Sequence, residues 1–311
     1  MNILITGGCG FIGRNLIHYL FTLTEPPAIR VLDNFKTGKK EDLRDICDYT
    51  LIAPAQSKPD WLTRPDLSRK TDWMTKQDWP TQPGQATKKR EIELIEGDIC
   101  DKETVEWSFL GADAVVHLAA NTGVPVSVER PEEDCRINVL GILNCLEASR
   151  KNGVNRFVFA SSGAPIGECE PPIHEELAPH PKSPYGASKL AGEGYCSAYS
   201  GSYGLSTVVL RFGNVYGPFS YHKGSVVAKF IKNAMEGEPL TIFGDGSQTR
   251  DYIYVEDLVK AIYAAVRAEN IEHEIFQIAT SAETTVNELV SSLLSSFDRI
   301  GITRPYVINA A

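Results

Sequence analysis

A doubly wound α/β fold with a parallel central sheet is predicted for this chain of 311 residues by three observations. The first thirteen residues run from an apolar stretch through a glycine-rich turn, and an apolar-periodic segment follows. Segments of strand and helix character then alternate along most of the length, the pattern of parallel strands joined by crossover helices. Strands such as Ile3-Leu4-Ile5 and Ala114 to Ala120 are continuous apolar runs, as expected of strands covered on both faces.

The opening stretch organises the rest. Gly7, Gly10 and Gly13 follow the first strand and precede Leu16, Ile17, Tyr19 and Leu20. A turn of this kind needs residues without Cβ, so that the backbone closes tightly and approaches a pyrophosphate. The helix start beyond it offers unpaired N–H groups and a positive dipole end. A second strand, Ile29 to Asp33, ends in an acid about 20 residues beyond Gly13, the spacing at which a carboxylate reaches the adenosine ribose hydroxyls. Together these predict a Rossmann-type dinucleotide site. Asp33 favours NAD over NADP, because a carboxylate repels a 2′-phosphate.

After Asp33, the loop from Asn34 to Gly38 is expected to pass over the adenosine end of the dinucleotide. From about residue 39 to 90 the periodicity fails. This insertion holds Pro54, Pro59, Pro65, Pro80 and Pro83, with Trp61, Trp73 and Trp79. It reads as a solvated insertion with some local packing, a flap or an oligomer contact being the alternative. Order resumes with a strand from Ile92 that ends at Asp98 and Ile99, then a helix through Glu106 and the strand Ala114 to Ala120. A long amphipathic helix is expected from about Glu133 to Asn152, containing Asn138. The strand Arg156 to Ser162 ends in hydroxyls, a second long helix begins near Pro184, and Ser206 to Arg211 is another strand. A further helix is expected from about Val286 to Phe297.

Composition narrows the classes. Hydrophobic residues make up 42% and charged residues 23%, with a net charge of −9. An acidic chain carries no electrostatic footprint for nucleic acid or an anionic membrane, so neither is expected as a partner. No run of eighteen apolar residues predicts a transmembrane helix. The first strand starts at once, without space for a signal peptide, and a cytoplasmic location is expected. Seven cysteines include no C-x-x-C pair, and Cys100, Cys135, Cys145 and Cys196 read as reduced packing residues. His117 has no partner at ligand spacing, so no metal site is expected. No G-x-S-x-G elbow supports a serine hydrolase.

Tyr185 and Lys189 stand four residues apart and so share one face of the second long helix. A phenol with a pKa of ~10 is a poor base at neutral pH. A neighbouring ammonium favours the phenolate and draws that value toward the working range. Ser161 and Ser162 close the preceding strand, where a hydroxyl can hydrogen-bond the oxygen that the tyrosine deprotonates.

With these residues the sequence resembles the extended short-chain dehydrogenase/reductase family, specifically its nucleotide-sugar epimerases and dehydratases. The resemblance rests on Gly7 to Gly13, His117 to Ala120, Ser183 to Lys189, Arg211 to Pro218 and Gly244 to Ile253. It implies that Tyr185 is the acid/base, that Lys189 orients the nicotinamide ribose, and that Ser162 shares the proton. It further implies NAD contacts at Gly7, Gly10, Phe11, Ile12, Gly13, Asp33, Asn34, Asp98, Ile99, Leu118, Ala119, Ala120, Asn138, Tyr185 and Lys189. Substrate contacts follow at Ser162, Asn214, Val226 and Arg250, with Asn214 and Arg250 on the nucleotide diphosphate, which an arginine fork fits bidentately. The implied domains are an NAD-binding Rossmann domain at 1–218 with the 39–90 insertion, also including about 252–280. A smaller discontinuous C-terminal sugar-nucleotide domain spans 219–251 and 281–311.

Subclass is read from the residues after Ser162. The 4,6-dehydratases of this family place an Asp-Glu pair there, whereas this chain has Gly163 and Ala164, which do not titrate. The resemblance therefore implies an NAD-dependent 4-epimerase of a UDP-hexose, passing through a transient 4-keto sugar, and a homodimer formed by the two long helices. Three departures bear on this. Pro165-Ile166-Gly167 replaces a usual V-Y-G step, and Tyr221 stands where enzymes acting on uronates can place an arginine. The chain stops at Ala311, where relatives usually continue for a few dozen residues. The alternatives are a UDP-glucuronate 4-epimerase using Lys223 or His222, an NAD(P)-dependent 4-ketoreductase, and a non-catalytic dinucleotide-sensing scaffold.

Overall fold

The computed structural model describes residues 1–52 and 90–310. In chain order, β1 (Asn2–Thr6), α1 (Phe11–Thr22) and β2 (Ala28–Asp33) form the first crossover unit. β3 (Asp48–Ile52), β4 (Glu91–Glu96), α2 (Lys102–Ser108) and β5 (Ala114–His117) follow. Next come α3 (Val124–Glu129), α4 (Pro131–Cys135), a π-helical turn at Arg136–Leu140, α5 (Gly141–Lys151), β6 (Arg156–Ser162), α6 (Pro184–Tyr203) and β7 (Ser206–Phe212). These strands, with the later β12 (His273–Ile278), make an eight-stranded sheet in the order β12-β7-β6-β5-β1-β2-β4-β3. From β3 to β6 every neighbouring pair is parallel.

The chain leaves β1 toward β2 and β4, then returns to the other side of β1 with β5. That reversal makes the carboxyl ends of β1 and β5 a topological switch point, the place where ligands bind in open α/β sheets. The strands are buried as their apolar runs predict: Leu4, Val31, Leu94, Val115 and Phe157 are fully covered. Leu32, Ile95, Val105, Phe109, Ile142, Leu146 and Phe159 join Leu4, Val115 and Phe157 in one core cluster.

Two expectations change here. β3 lies within the stretch read as lacking strand period, and it pairs with β4 in register from Asp48↔Glu91 to Ile52↔Ile95. Its alternation is masked by exposure, since only Tyr49 and Ile52 are partly covered at this sheet edge. Trp61, Trp73, Trp79 and the five prolines of the insertion fall outside the described residues. The helix expected from Glu133 to Asn152 is interrupted by the π-helical turn, within which Asn138 is buried.

The chain divides into two compact units. The first is Met1–Arg211 with Val259–Gln277, the second Phe212–Leu258 with Ile278–Ala311. The break falls after Arg211 rather than after 218. The second unit holds β8 (Asn214–Tyr216), α7 (Val226–Glu236), β9 (Leu240–Phe243), β10 (Thr249–Arg250) and β11 (Tyr252–Tyr254). α8 (Val255–Arg267) spans the boundary, and β13 (Thr284–Thr285), α9 (Val286–Ile300) and β14 (Val307–Ala310) complete the chain. Phe230, Leu240, Ile242, Val290 and Phe297 form the core of the second unit. A Thr285–Glu288 capping box starts α9, and left-handed Gly301 ends it.

Candidate active site

The glycine turn is a steric necessity. Gly7 has φ +73°, and a Cβ there would sit 2.7 Å from the Ala119 backbone nitrogen. A Cβ on Gly13 would lie 2.5 Å from the Gly8 α-carbon. The turn is closed by the Gly7 N–H donating to Leu32 O at 2.8 Å and the Gly10 N–H to Gly7 O at 3.1 Å. No N-cap side chain accepts a hydrogen bond at the start of α1 and no acid occupies its first turn, so the positive end of the helix dipole suits an anion. These residues fit the pyrophosphate of a dinucleotide.

Asp33, at the end of β2, is buried and accepts from the Cys9 N–H at 2.9 Å and the Phe35 N–H at 2.8 Å. Burial pushes its carboxyl above the ordinary range, against those hydrogen bonds. Asn34 donates to Asp98 at 3.0 Å, and the Cys100 N–H donates to the other Asp98 oxygen at 2.9 Å. Burial raises the Asp98 carboxyl, but these bonds outweigh it and hold it below the usual value. Ile99 is buried against Gly141. Beyond β5, the Leu118 and Ala119 N–H groups donate to Thr6 at 3.1 and 3.3 Å, which seats Leu118 to Ala120 beside the glycine turn. Asn138 exchanges two bonds with the Asn121 backbone, at 2.8 and 2.9 Å, and donates to Ser188 Oγ at 3.2 Å. It ties the β5 loop to α6. The structure thus gathers the sequence-predicted dinucleotide residues at the carboxyl ends of β1, β2, β4 and β5.

At the end of β6, Ser162 lies near enough to the Tyr185 phenol to lower it, and its Oγ accepts from the Ala164 N–H at 3.2 Å. α6 is started by Ser183, whose side chain accepts from the Gly186 N–H at 3.1 Å, with Pro184 in the first turn. One turn beyond Tyr185, Lys189 is buried, donates to Ala160 O at 2.8 Å, and lies 4.9 Å from the Phe159 ring centroid and 5.9 Å from that of Tyr185. Desolvation pulls the Lys189 ammonium down to about 8, against the charges of Asp134 and Glu193. The phenol departs from the sequence expectation. Burial pushes Tyr185 above the ordinary phenol value, the nearby Ser162 lowers it and Asp134 raises it. Desolvation exceeds the pull that the sequence assigned to the lysine.

Sequence reasoning missed two buried carboxylates. Glu193 accepts from Ser161 Oγ at 2.6 Å and from Arg211 at 2.9 and 2.7 Å, a pair that is 3% exposed on each side. The signal was available: Tyr185, Lys189 and Glu193 repeat at four-residue spacing, and Arg211 closes the next strand. Asp134 is 1% exposed and accepts from Asn138 at 3.1 Å through one oxygen only. His117 hydrogen-bonds Thr6 at 2.9 Å and stacks with Phe157 and Phe159, an interior packing role. Among the cysteines read as packing residues, Cys145 and Cys196 are buried whereas Cys135 is exposed.

In the second unit, Asn214 donates to the Asp251 carbonyl at 3.2 Å, next to exposed Arg250. Val226 begins α7 and packs on that unit's core.

A phosphate-accepting turn and a hydroxyl–phenol–ammonium group on one sheet are the equipment of a dinucleotide-dependent enzyme. Residues 3–279 match the family described as "NAD dependent epimerase/dehydratase family", and the chain belongs to it, with NAD as cofactor. UDP-glucose 4-epimerase of Mycolicibacterium smegmatis is 30% identical over 298 residues, covering 94% of this chain and 82% of that protein. dTDP-glucose 4,6-dehydratase of Streptomyces antibioticus is 29% identical over 330 residues, covering 100% and 85%. The UDP-glucose 4-epimerase of Thermus thermophilus, solved with NAD, superposes with a TM-score of 0.76 at 34% identity, covering 100% of this chain and 86% of that one. The Thermotoga maritima UDP-glucose 4-epimerase, solved with UDP-glucose, gives 0.75 at 32% identity with the same coverage. No described helix is long and apolar enough to cross a membrane.

Proposed function

We propose that the protein is an NAD-dependent 4-epimerase of a UDP-hexose. The observation that carries this is the joining of Ser162, Tyr185 and Lys189 at the end of β6, followed by Gly163 and Ala164. Neither of the latter can move a proton at C5 or C6, so the site retains the chemistry of C4 alone. In this reading NAD, held by the glycine turn and Asp33, supplies a hydride acceptor and donor. Tyr185 takes the proton of the 4-hydroxyl, and Ser162 hydrogen-bonds the same oxygen. The resulting 4-keto sugar turns over, and Tyr185 returns the proton to the oxygen when C4 is reduced on its other face. Lys189 sets the local field as an ammonium and holds the nicotinamide ribose. Asn214 and Arg250 hold the nucleotide diphosphate, and Val226 borders the nucleotide.

A second reading, UDP-glucuronate as substrate, is favoured by His222, Lys223 and Lys229 around an open hollow of about 410 Å³ in the second unit. Its other charged lining residues, Lys232 and Glu236, pair with each other at 3.9 Å, and Glu236 accepts from Tyr221 at 3.2 Å. The oligomer proposed is a homodimer through the two long helical stretches near Glu133 to Asn152 and Pro184 to Ser200. In support, Leu140 and Tyr195 are exposed apolar residues on them. A monomer by light scattering at micromolar concentration sinks that proposal.

The deciding experiment incubates the purified protein with UDP-glucose, UDP-N-acetylglucosamine or UDP-glucuronate, without added cofactor, and follows proton NMR. The 4-epimer is expected from UDP-glucose. Conversion of UDP-glucuronate alone selects the second reading. No conversion by protein that still contains NAD overturns both.

A further inference from the structure

Lys189 is flanked by two buried carboxylates, and only one of them is satisfied. Glu193, on α6 itself, is committed to Arg211 of β7 and to Ser161 of β6. Asp134, on α4, packs across the α4–α6 contact. Its Oδ1 accepts from Asn138, while its Oδ2 is fully buried and accepts nothing. Asp134 makes no direct ion pair among the described residues, with Lys189 or any other cation. A buried carboxylate without a contact partner is costly, so its retention calls for a compensating charge. The Lys189 ammonium supplies it through the α4–α6 packing without direct contact, and Asp134 is the larger of the two carboxylates acting on it.

We propose that Asp134 is a positioning residue acting through Lys189 and Tyr185, its unpaired buried charge keeping the lysine an ammonium beside the phenol. The other groups facing the pair leave this task open. On β5, His117 is buried and neutral. On α6, Cys196 is buried and its thiol is held protonated by desolvation. The β6 contributions are the Ser161 and Ser162 hydroxyls and the Ala160 carbonyl. Arg211 of β7 is neutralised by Glu193. Asp134 also disfavours the Tyr185 phenolate, so one carboxylate sets both members of the pair in the same direction.

The assignment of the pH limbs rests on the proposed epimerase reading: with Lys189 near 8 and Tyr185 above the ordinary phenol value, the acid-side break belongs to Lys189 and the alkaline-side break to Tyr185. Asp134→Asn removes the charge and keeps an acceptor for Asn138. Both limbs of the kcat/KM profile are expected to move about one unit toward acid, since each group loses one nearby negative charge. Lys189 is read directly in 15N-lysine-labelled protein, its ammonium resonance assigned with Lys189→Met. Its midpoint, expected near 8 in the native chain, should fall in Asp134→Asn and return in Asp134→Glu. A rate lowered equally at every pH, with an unmoved lysine midpoint, overturns the proposal and marks Asp134 as structural. Should no sugar nucleotide turn over, the epimerase reading fails, and the lysine titration alone still decides this one. Asp134→Ser replaces the Asn variant if the latter does not fold.

Discussion

The glycine turn after β1 and the tyrosine–lysine helix after β6 lie at strand ends of one sheet and are built by opposite means. The turn works through missing atoms: three positions lack a Cβ, α1 lacks a cap, and the space left admits a charged ligand. The helix works through buried charge: Lys189, Glu193, Arg211 and Asp134 are nearly inaccessible, and Asp134 adds to burial in holding the Tyr185 phenol above its ordinary value. An error in the turn is therefore steric and blocks binding. An error in the helix is electrostatic and blocks chemistry while binding persists.

The sharpest way to break this contrast is Tyr185→Phe. Loss of a positioned acid/base lowers rates by about 100- to 10,000-fold, and turnover is expected to fall into that range with NAD content unchanged. Release of NAD by this variant would show that the two regions are not separable. Next is Glu193→Gln, which leaves Arg211 buried without its counter-charge. Breaking a buried pair costs about 3–5 kcal/mol, to be read from denaturant unfolding. A cost near zero would show that Glu193 is not the electrostatic foundation of α6. Gly7→Ala tests the other region. A Cβ in a left-handed position against the Ala119 backbone is expected to cost about 1–3 kcal/mol and to strip NAD from the purified protein. Full NAD content in that variant would remove the steric argument for the turn.

The contrast also explains what the sequence makes legible. Gly7, Gly10, Gly13 and Asp33 are readable because each answers a local geometric demand at fixed spacing. Tyr185 and Lys189 are readable because one helical turn brings them together. Asp134 is not, because Glu132, Glu133 and Asp134 in a first turn read as helix-start acids, and only the packing of α4 on α6 buries the last of them. β3 escapes notice because a short exposed edge strand takes its order from β4. The two- and three-residue strands β8, β10, β11 and β13 each depend on a partner distant in sequence.

The smallest effect expected concerns His117, which lies between the two regions at the end of β5. Burial pulls its imidazole down to about 3, with the Lys189 charge acting in the same sense, so the folded chain holds it neutral. In the unfolded chain it titrates near ~6.5. Between these values the unfolded state binds a proton that the folded state refuses, so this residue makes stability fall as pH falls below about 6.5. By pH ~5 the loss amounts to about 2 kcal/mol. Asp33 acts in the opposite sense, because its folded carboxyl is raised and protonates more readily than the unfolded one. The two are separated by comparing the native chain with His117→Gln, a variant that keeps a partner for Thr6. Thermal unfolding from pH 7 to 5 should destabilise the native chain more than the variant. Equal losses in both would mean that His117 takes its proton in the folded state, and that the interior beneath Lys189 tolerates a second positive charge.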